Sequence, residues 1–212
     1  MKILGIVGSP RKNGNSYYLV EKALQGAKEE ERSVETKMIQ LADLRIEPCR
    51  ACETCAKEPF KCINQDDDFE MVFGEMKHAD GILLASPRYG PFGACPSKMQ
   101  ALLERLTNVN YLPAKVNPNF VFPLQDKPCG LLAVSVEGKQ NNLPVLHSLE
   151  QYVLAYRMQP IHTKLWPFVG VSGRGNDKGD VLKDVEAMEN AKILGQLLVR
   201  AIKMKKQIKW RI

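Results

Sequence analysis

The sequence predicts an α/β fold, a single domain over residues 1–212 built as a doubly wound parallel sheet. Two observations carry this. Short β-branched runs alternate with stretches of helical periodicity, the pattern of βαβ units whose sheet is covered on both faces. Apolar residues at 44% and charged residues at 25% are those of a globular chain long enough to bury a core. No apolar stretch approaches the roughly 20 residues that cross a bilayer.

The first strand is expected over residues 3–7, and the helix after it starts near Ser16, with Val20, Ala23, Leu24 and Ala27 on one face at i, i+3, i+4, i+7 spacing. A second strand covers 34–39. The next helix, capped by Asp66 or Asp67, buries Phe69, Val72, Phe73 and Met76. A third strand at 81–85 precedes a helix opened by Pro96, a residue tolerated in a first turn, with Met99, Leu102, Leu103 and Leu106 inward. Residues 109–127, with Pro113, Pro118 and Pro123, read as a long irregular insertion, a candidate lid or subunit contact. A fourth strand at 130–136 leads to a helix over 143–156, and a fifth at 161–171 surrounds Trp166. The last helix runs from 181 to about 203, with Val185, Met188, Leu198 and Ile202 inward. Five such units favour the flavodoxin-like strand order 2-1-3-4-5, with ligands outside the carboxyl ends of the strands at the switch point between strands 1 and 3.

Three loops leave that rim. After the first strand comes Gly8-Ser9-Pro10-Arg11-Lys12-Asn13-Gly14-Asn15-Ser16. A helix N-terminus with hydroxyl and amide donors and one arginine suits an anion. Neither the dinucleotide GxGxxG nor the GxxxxGK[ST] pattern occurs, so a monophosphate fits better, the alternative being a plain turn capped by Ser16. After the third strand, Ser86-Pro87-Arg88-Tyr89-Gly90-Pro91-Phe92-Gly93 joins stiff prolines to glycines that admit a flat ligand and to aromatic surface, which a flavin ring or ordinary loop packing would use equally well. After the fourth, Ser135 to Gln140 supplies polar groups that could bond a flavin edge.

Between the second strand and its helix lie Cys49, Cys52, Cys55 and Cys62, a C-x2-C-x2-C-x6-C run inside a loop over 47–65. Three cysteines two residues apart are the spacing of bacterial-type ferredoxins, and with no second run Cys62 is the natural fourth ligand of one cluster. Structural zinc is the rival, although such sites usually show two separated pairs. Disulfides are unsupported, since Met1-Lys2-Ile3-Leu4 enters a strand with no leader pattern, and a cytoplasmic setting is expected. Cys129 reads as core and Cys95 as a thiol of undetermined reactivity just after the loop that follows the third strand. His78, His147 and His162 share no ligand spacing. Net charge is +6. Lys203, Lys205, Lys206, Lys209 and Arg211 read as a solvated helix end, the alternative being a docking patch for an acidic partner, and Trp210 alone is thin aromatic support for a nucleic-acid surface.

Together, the Ser9 to Ser16 segment, Ser86 to Gly90 and the compact cysteine run resemble the iron-sulfur flavoproteins, a branch of the NADPH-dependent FMN reductase superfamily. Gly173 to Asp180 is similar to a Gly-rich turn common there. The resemblance implies non-covalent FMN, one [4Fe-4S] cluster per subunit, a homodimer or dimer of dimers, a ferredoxin-like electron donor, and electron transfer between cluster and FMN. By position, Ser9, Arg11, Asn15 and Ser16 would hold the FMN phosphate, and Pro87, Arg88, Tyr89 and Gly90 would line the ring. Ser135, Glu137 and Gly138 would form a third contact. Arg88 departs from the small or apolar residue more usual there. Two other readings stay open: an NAD(P)H-dependent FMN or quinone reductase with an accessory metal, and a zinc-bearing basic module without a redox role.

Overall fold

The computed structural model describes residues 1–57, 61–90, 93, 95–163 and 169–207. Its elements are β1 (Lys2–Val7), α1 (Asn15–Glu30), β2 (Glu35–Gln40), α2 (Phe69–His78), β3 (Gly81–Pro87), α3 (Ser97–Val116), β4 (Pro128–Ser135), α4 (Leu143–Ala155), β5 (Gln159–Ile161), β6 (Val171–Arg174) and α5 (Val185–Gln207). The sheet is parallel throughout, in the order β2-β1-β3-β4-β5, with β6 also on β4.

The strand alternation sorts the core into two layers. Leu4, Ile6, Ile82, Leu84, Cys129 and Leu131 face α2, α3 and α4. Ile3, Val7, Leu83, Ala85, Leu132 and Val134 face α1 and α5. Both sets are buried, which is why the strands read as continuous apolar runs. At the α1–α5 contact the backbones nearly touch: a Cβ built on Gly195 would lie 1.8 Å from the Ala23 carbonyl oxygen, and one on Gly26 would lie 2.1 Å from that of Lys192. Only glycine fits there.

Three expectations are corrected. The single fifth strand over 161–171 is instead two short strands sharing one partner: Pro128 to Gly130 of β4 pair with β5, and Leu132 to Ser135 pair with β6. Trp166, on which that strand was centred, lies outside the described residues. Residues 109–116 are not irregular, because α3 continues through Pro113 to Val116 and only 117–127 lack a helix. The apolar stripe persists in Val109, 3% exposed, and a proline one turn from the end removes little of the hydrogen-bond ladder. Finally, Val185 begins α5 and is 78% exposed, while Ala191, Leu194, Leu198 and Ile202 fill the inner face and Met188 is partly buried. Val181 is buried one 3₁₀ turn earlier.

Parallel register sets Val7 of β1 beside Ala85 of β3, and Pro87 beside Val134 of β4, so the loops after these strands leave from one rim. No helix among the described residues is long and apolar enough to cross a membrane.

Candidate functional site

The rim loops enclose one cavity of about 190 Å³ lined by Ser9, Arg11, Asn15 and Ser16 from the first loop and Pro87, Arg88 and Tyr89 from the second. Ser135 and Val136 close it from β4, and Gly175 and Asn176 from the segment after β6. Each is there for a local reason. Gly8 donates its N–H to the Ala85 carbonyl (2.7 Å), which carries β1 to the rim, and Ser9 Oγ accepts from the Arg11 N–H (3.1 Å) and folds the loop back. Helix α1 then starts without a side-chain cap, leaving its N-terminal dipole to the cavity. Ser16, 2% exposed, has an Oγ with no hydrogen-bond partner among the described residues. A buried hydroxyl left unpaired in the wall of a cavity at a helix N-terminus fits an anionic group such as a phosphate.

Asn15 plays a different part from the donor role implied for its side chain. Its Nδ2 donates to the Asp177 carbonyl (2.9 Å), and its Oδ1 accepts from Gly179 N–H (3.0 Å) and Val181 N–H (3.3 Å). The side chain is spent on holding the 175–181 segment over the cavity. Arg11 does similar work, donating to the Asn176 carbonyl (2.8 Å). Glu137 and Gly138 lie off the cavity wall. Glu137 lines the adjoining cleft and sits 3.8 Å from Arg88, and Gly138 at φ +67° makes the turn, its N–H bonded to Ser135 Oγ (3.0 Å). Gly90, at φ +69°, is likewise a turn residue off the wall. Phe92 is outside the described residues.

Cys49, Cys52, Cys55 and Cys62 line a second, separate cavity with Asn64, Arg105, Asn108 and Val109. Three sulfurs accept hydrogen bonds from side chains: Asn108 Nδ2 to Cys49 (3.0 Å), Thr54 Oγ1 to Cys52 (3.4 Å) and Arg105 Nη2 to Cys62 (3.4 Å). The Thr54 hydroxyl holds the Cys52 thiol below its ordinary pKa, and burial pushes Cys55 up. Among the described residues no group of three or more His, Cys, Asp or Glu converges as ligands of one metal ion. The cysteines line a cavity of about 30 Å³ with donors on three of their sulfurs, and four thiols are a donor set that suits a metal centre.

The loop is pinned at its neck. Asp68 Oδ2 accepts from Arg45 N–H (2.7 Å), the Asp68 N–H returns to the Arg45 carbonyl (2.9 Å), and Asp67 Oδ2 accepts from Glu47 N–H (2.8 Å). Asp67 also pairs with Arg105, whose side chain is 1% exposed and stacks 4.0 Å over the Phe69 ring. Inside the loop, Ala51 (φ 51°) and Glu53 (φ 56°) take left-handed backbone that side chains disfavour, a cost borne where the cysteines are presented. The N-cap of α2 is thus Asp68, without a side-chain cap bond, rather than Asp66 or Asp67 as expected, because the carboxylates of Asp67 and Asp68 are turned to the loop neck. Helix α3 runs from the rim to the cysteine cavity: Met99 packs against Gly8 at the rim, while Arg105 and Asn108, about 9 to 14 Å further along the axis at 1.5 Å per residue, line the cavity with the cysteines.

Arg105 and Asn108 were not among the residues expected from sequence. The signal existed, because Arg105 stands on the buried stripe, three residues after Leu102 and four before Val109, where a cation demands a reason. Cys95, of undetermined reactivity by sequence, is 8% exposed and Cys129 fully buried, burial raising both thiols' pKa values.

Comparison with known proteins gives the same picture. The family model described as NADPH-dependent FMN reductase matches residues 1–170. An iron-sulfur flavoprotein of Methanocaldococcus jannaschii is 32% identical over 208 residues, covering 98% of this chain and 100% of the relative. An iron-sulfur flavoprotein of Methanosarcina thermophila is 40% identical over 105 residues, 50% of this chain and 52% of that one. Among solved structures, a flavone reductase aligns with TM-score 0.69 at 22% identity over 100% of this chain and 66% of its own. RosB, with a bound riboflavin-phosphate intermediate, aligns with TM-score 0.70 at 15% identity over 99% and 82%. At these identities the solved structures speak for the fold alone.

Proposed function

This chain belongs to the NADPH-dependent FMN reductase family, among its iron-sulfur flavoproteins, and is a flavoprotein oxidoreductase; we propose that it passes electrons between a [4Fe-4S] cluster and FMN. The observation that carries this reading is that Cys49, Cys52, Cys55 and Cys62 all line one cavity, with side-chain donors on three of their sulfurs. The bound groups supply the redox chemistry, one-electron at the cluster and two-electron at the flavin.

The protein's part is to bind and orient. Ser16 Oγ and the N-terminus of α1 would take the FMN phosphate, with Arg11 close by as positive charge. Pro87, Arg88 and Tyr89 would flank the ring, Tyr89 being 58% exposed and open to a stacking partner. Asn15 acts one layer out by fixing the 175–181 segment. No general acid or base is required. A ferredoxin-like donor and assembly as a dimer or dimer of dimers belong to the same proposal. Anaerobically purified protein should contain FMN, iron and acid-labile sulfide in the proportions of one flavin and one four-iron cluster per chain. Zinc without sulfide would overturn the reading.

One observation favours a second reading, reduction of FMN by a pyridine nucleotide. An open cleft of about 780 Å³ adjoins the rim cavity through Val136, Gly175 and Asn176, with room for a second ligand beside the flavin site, and carries Lys139, Arg174 and Lys183 alongside Glu137, Asp180, Asp184 and Glu186. Rapid flavin reduction by NADPH with the cluster left oxidised would favour it.

A further inference from the structure

We propose that Arg105 is the positioning residue of the cysteine centre, docking the Cys62 arm before any cluster is held and biasing the centre toward its reduced state once one is. The proposal rests on the reading of the cysteines as cluster ligands. Its basis is where the guanidinium sits and what each nitrogen touches.

Nη2 donates to Cys62 Sγ (3.4 Å) and to the Asn64 carbonyl (2.8 Å), on the arm that carries the fourth cysteine. Nη1 donates to Asp67 and, at 3.4 Å, to the Glu47 carbonyl, at the neck of the loop. One planar group therefore ties the start of the loop, its last cysteine and its exit to α3. Lysine has no such fork. Nε is buried with no partner among the described residues. Taking an arginine to 1% exposure is costly even beside a buried carboxylate, and an apolar residue would be better for stability alone. The cost becomes intelligible if the pocket gains negative charge. Four thiolates leave a held cluster anionic, and reduction adds a further negative charge in a poorly solvated site. A cation in direct contact with sulfur favours that added electron, while Asp67, on the other side of the guanidinium, opposes it. Arg50 and Glu53 also line the cavity, opposite in sign and both exposed, so water screens them.

The charges predict shifts of opposite sign. In redox titrations of the iron-sulfur signal, Arg105→Gln should move the midpoint potential downward, Asp67→Asn upward, and Arg105→Lys should stay near wild type. In the cluster-free protein, limited proteolysis within 47–65 should be faster for both Arg105 variants than for wild type, because lysine keeps the charge and loses the fork. Wild-type potentials in Arg105→Gln and Asp67→Asn, or cluster-free variants cleaved no faster than wild type, overturn the proposal. If a variant will not take a cluster, the proteolysis result decides. Wild-type protein that binds no iron or sulfide after anaerobic reconstitution instead sinks the cluster reading itself.

Discussion

Replacing Ser16 with alanine should separate the energetics of the empty protein from those of the bound one. Ser16 Oγ is a buried hydroxyl without a partner among the described residues, at the N-terminus of α1 in the wall of the rim cavity. An unsatisfied buried polar group costs about 1–3 kcal/mol, so Ser16→Ala removes a liability in the flavin-free chain. Its unfolding free energy should equal or exceed that of wild type. A hydrogen bond to a charged phosphate contributes about 1.5–3 kcal/mol, so at about 1.4 kcal/mol per decade FMN should bind about 10- to 150-fold more weakly. Urea unfolding of flavin-free protein reads the first quantity, and quenching of FMN fluorescence on titration reads the second. Unchanged affinity, or a flavin-free variant less stable than wild type, would refute the assignment of this hydroxyl to the phosphate.

Other perturbations follow from the same structure. Arg88 lines the rim cavity with Glu137 3.8 Å away, and Arg88→Ala should lower the FMN midpoint potential by tens of millivolts, on a scale where about 30 mV is 1.4 kcal/mol for two electrons; an unchanged potential removes Arg88 from the flavin environment. Gly195→Ala would drive a methyl into the Ala23 carbonyl and should cost about 3 kcal/mol or more in chemical unfolding, whereas Gly74→Ala, with open space around it in α2, should stabilise by about 0.5–1 kcal/mol. Equal effects would contradict the α1–α5 packing. Glu31, hydrogen-bonded first by Lys203 and then by Ser33, has its pKa lowered from 4.5 to about 2. Because the folded value is the lower one, its contribution is present above about pH 4.5 and lost as pH falls toward 2. Glu31→Gln should therefore flatten the acid limb of the stability profile slightly, the pair being at the surface.

The parallel sheet and its order were legible because β1, β3 and β4 are buried on both faces and α1 and α3 carry plain helical stripes. The rim loops were legible because Ser9, Arg11, Ser16 and Ser135 follow strand ends, where topology alone brings them together. What escaped was set by contacts remote in sequence. Nothing local says that Asn15 spends its amide on residues 177–181, or that Asp67 turns from a helix start to a guanidinium 38 positions away. The division of the last strand into β5 and β6 also depends on β4, whose two halves accept different partners. Pro113 misled in the opposite direction, because a local breaker was outweighed by the burial of α3 beneath the cysteine loop.

The proposed route takes electrons to the flavin by way of the cysteine centre. Its most direct test mixes anaerobic, FMN-loaded protein with a reduced ferredoxin-type donor in a stopped-flow instrument and follows flavin absorbance in wild type and Cys62→Ala. Bleaching of the iron-sulfur absorption should precede flavin reduction in wild type, and Cys62→Ala should bind FMN normally but reduce it at least tenfold more slowly, about 1.4 kcal/mol in barrier. Equal rates in the two proteins would contradict it.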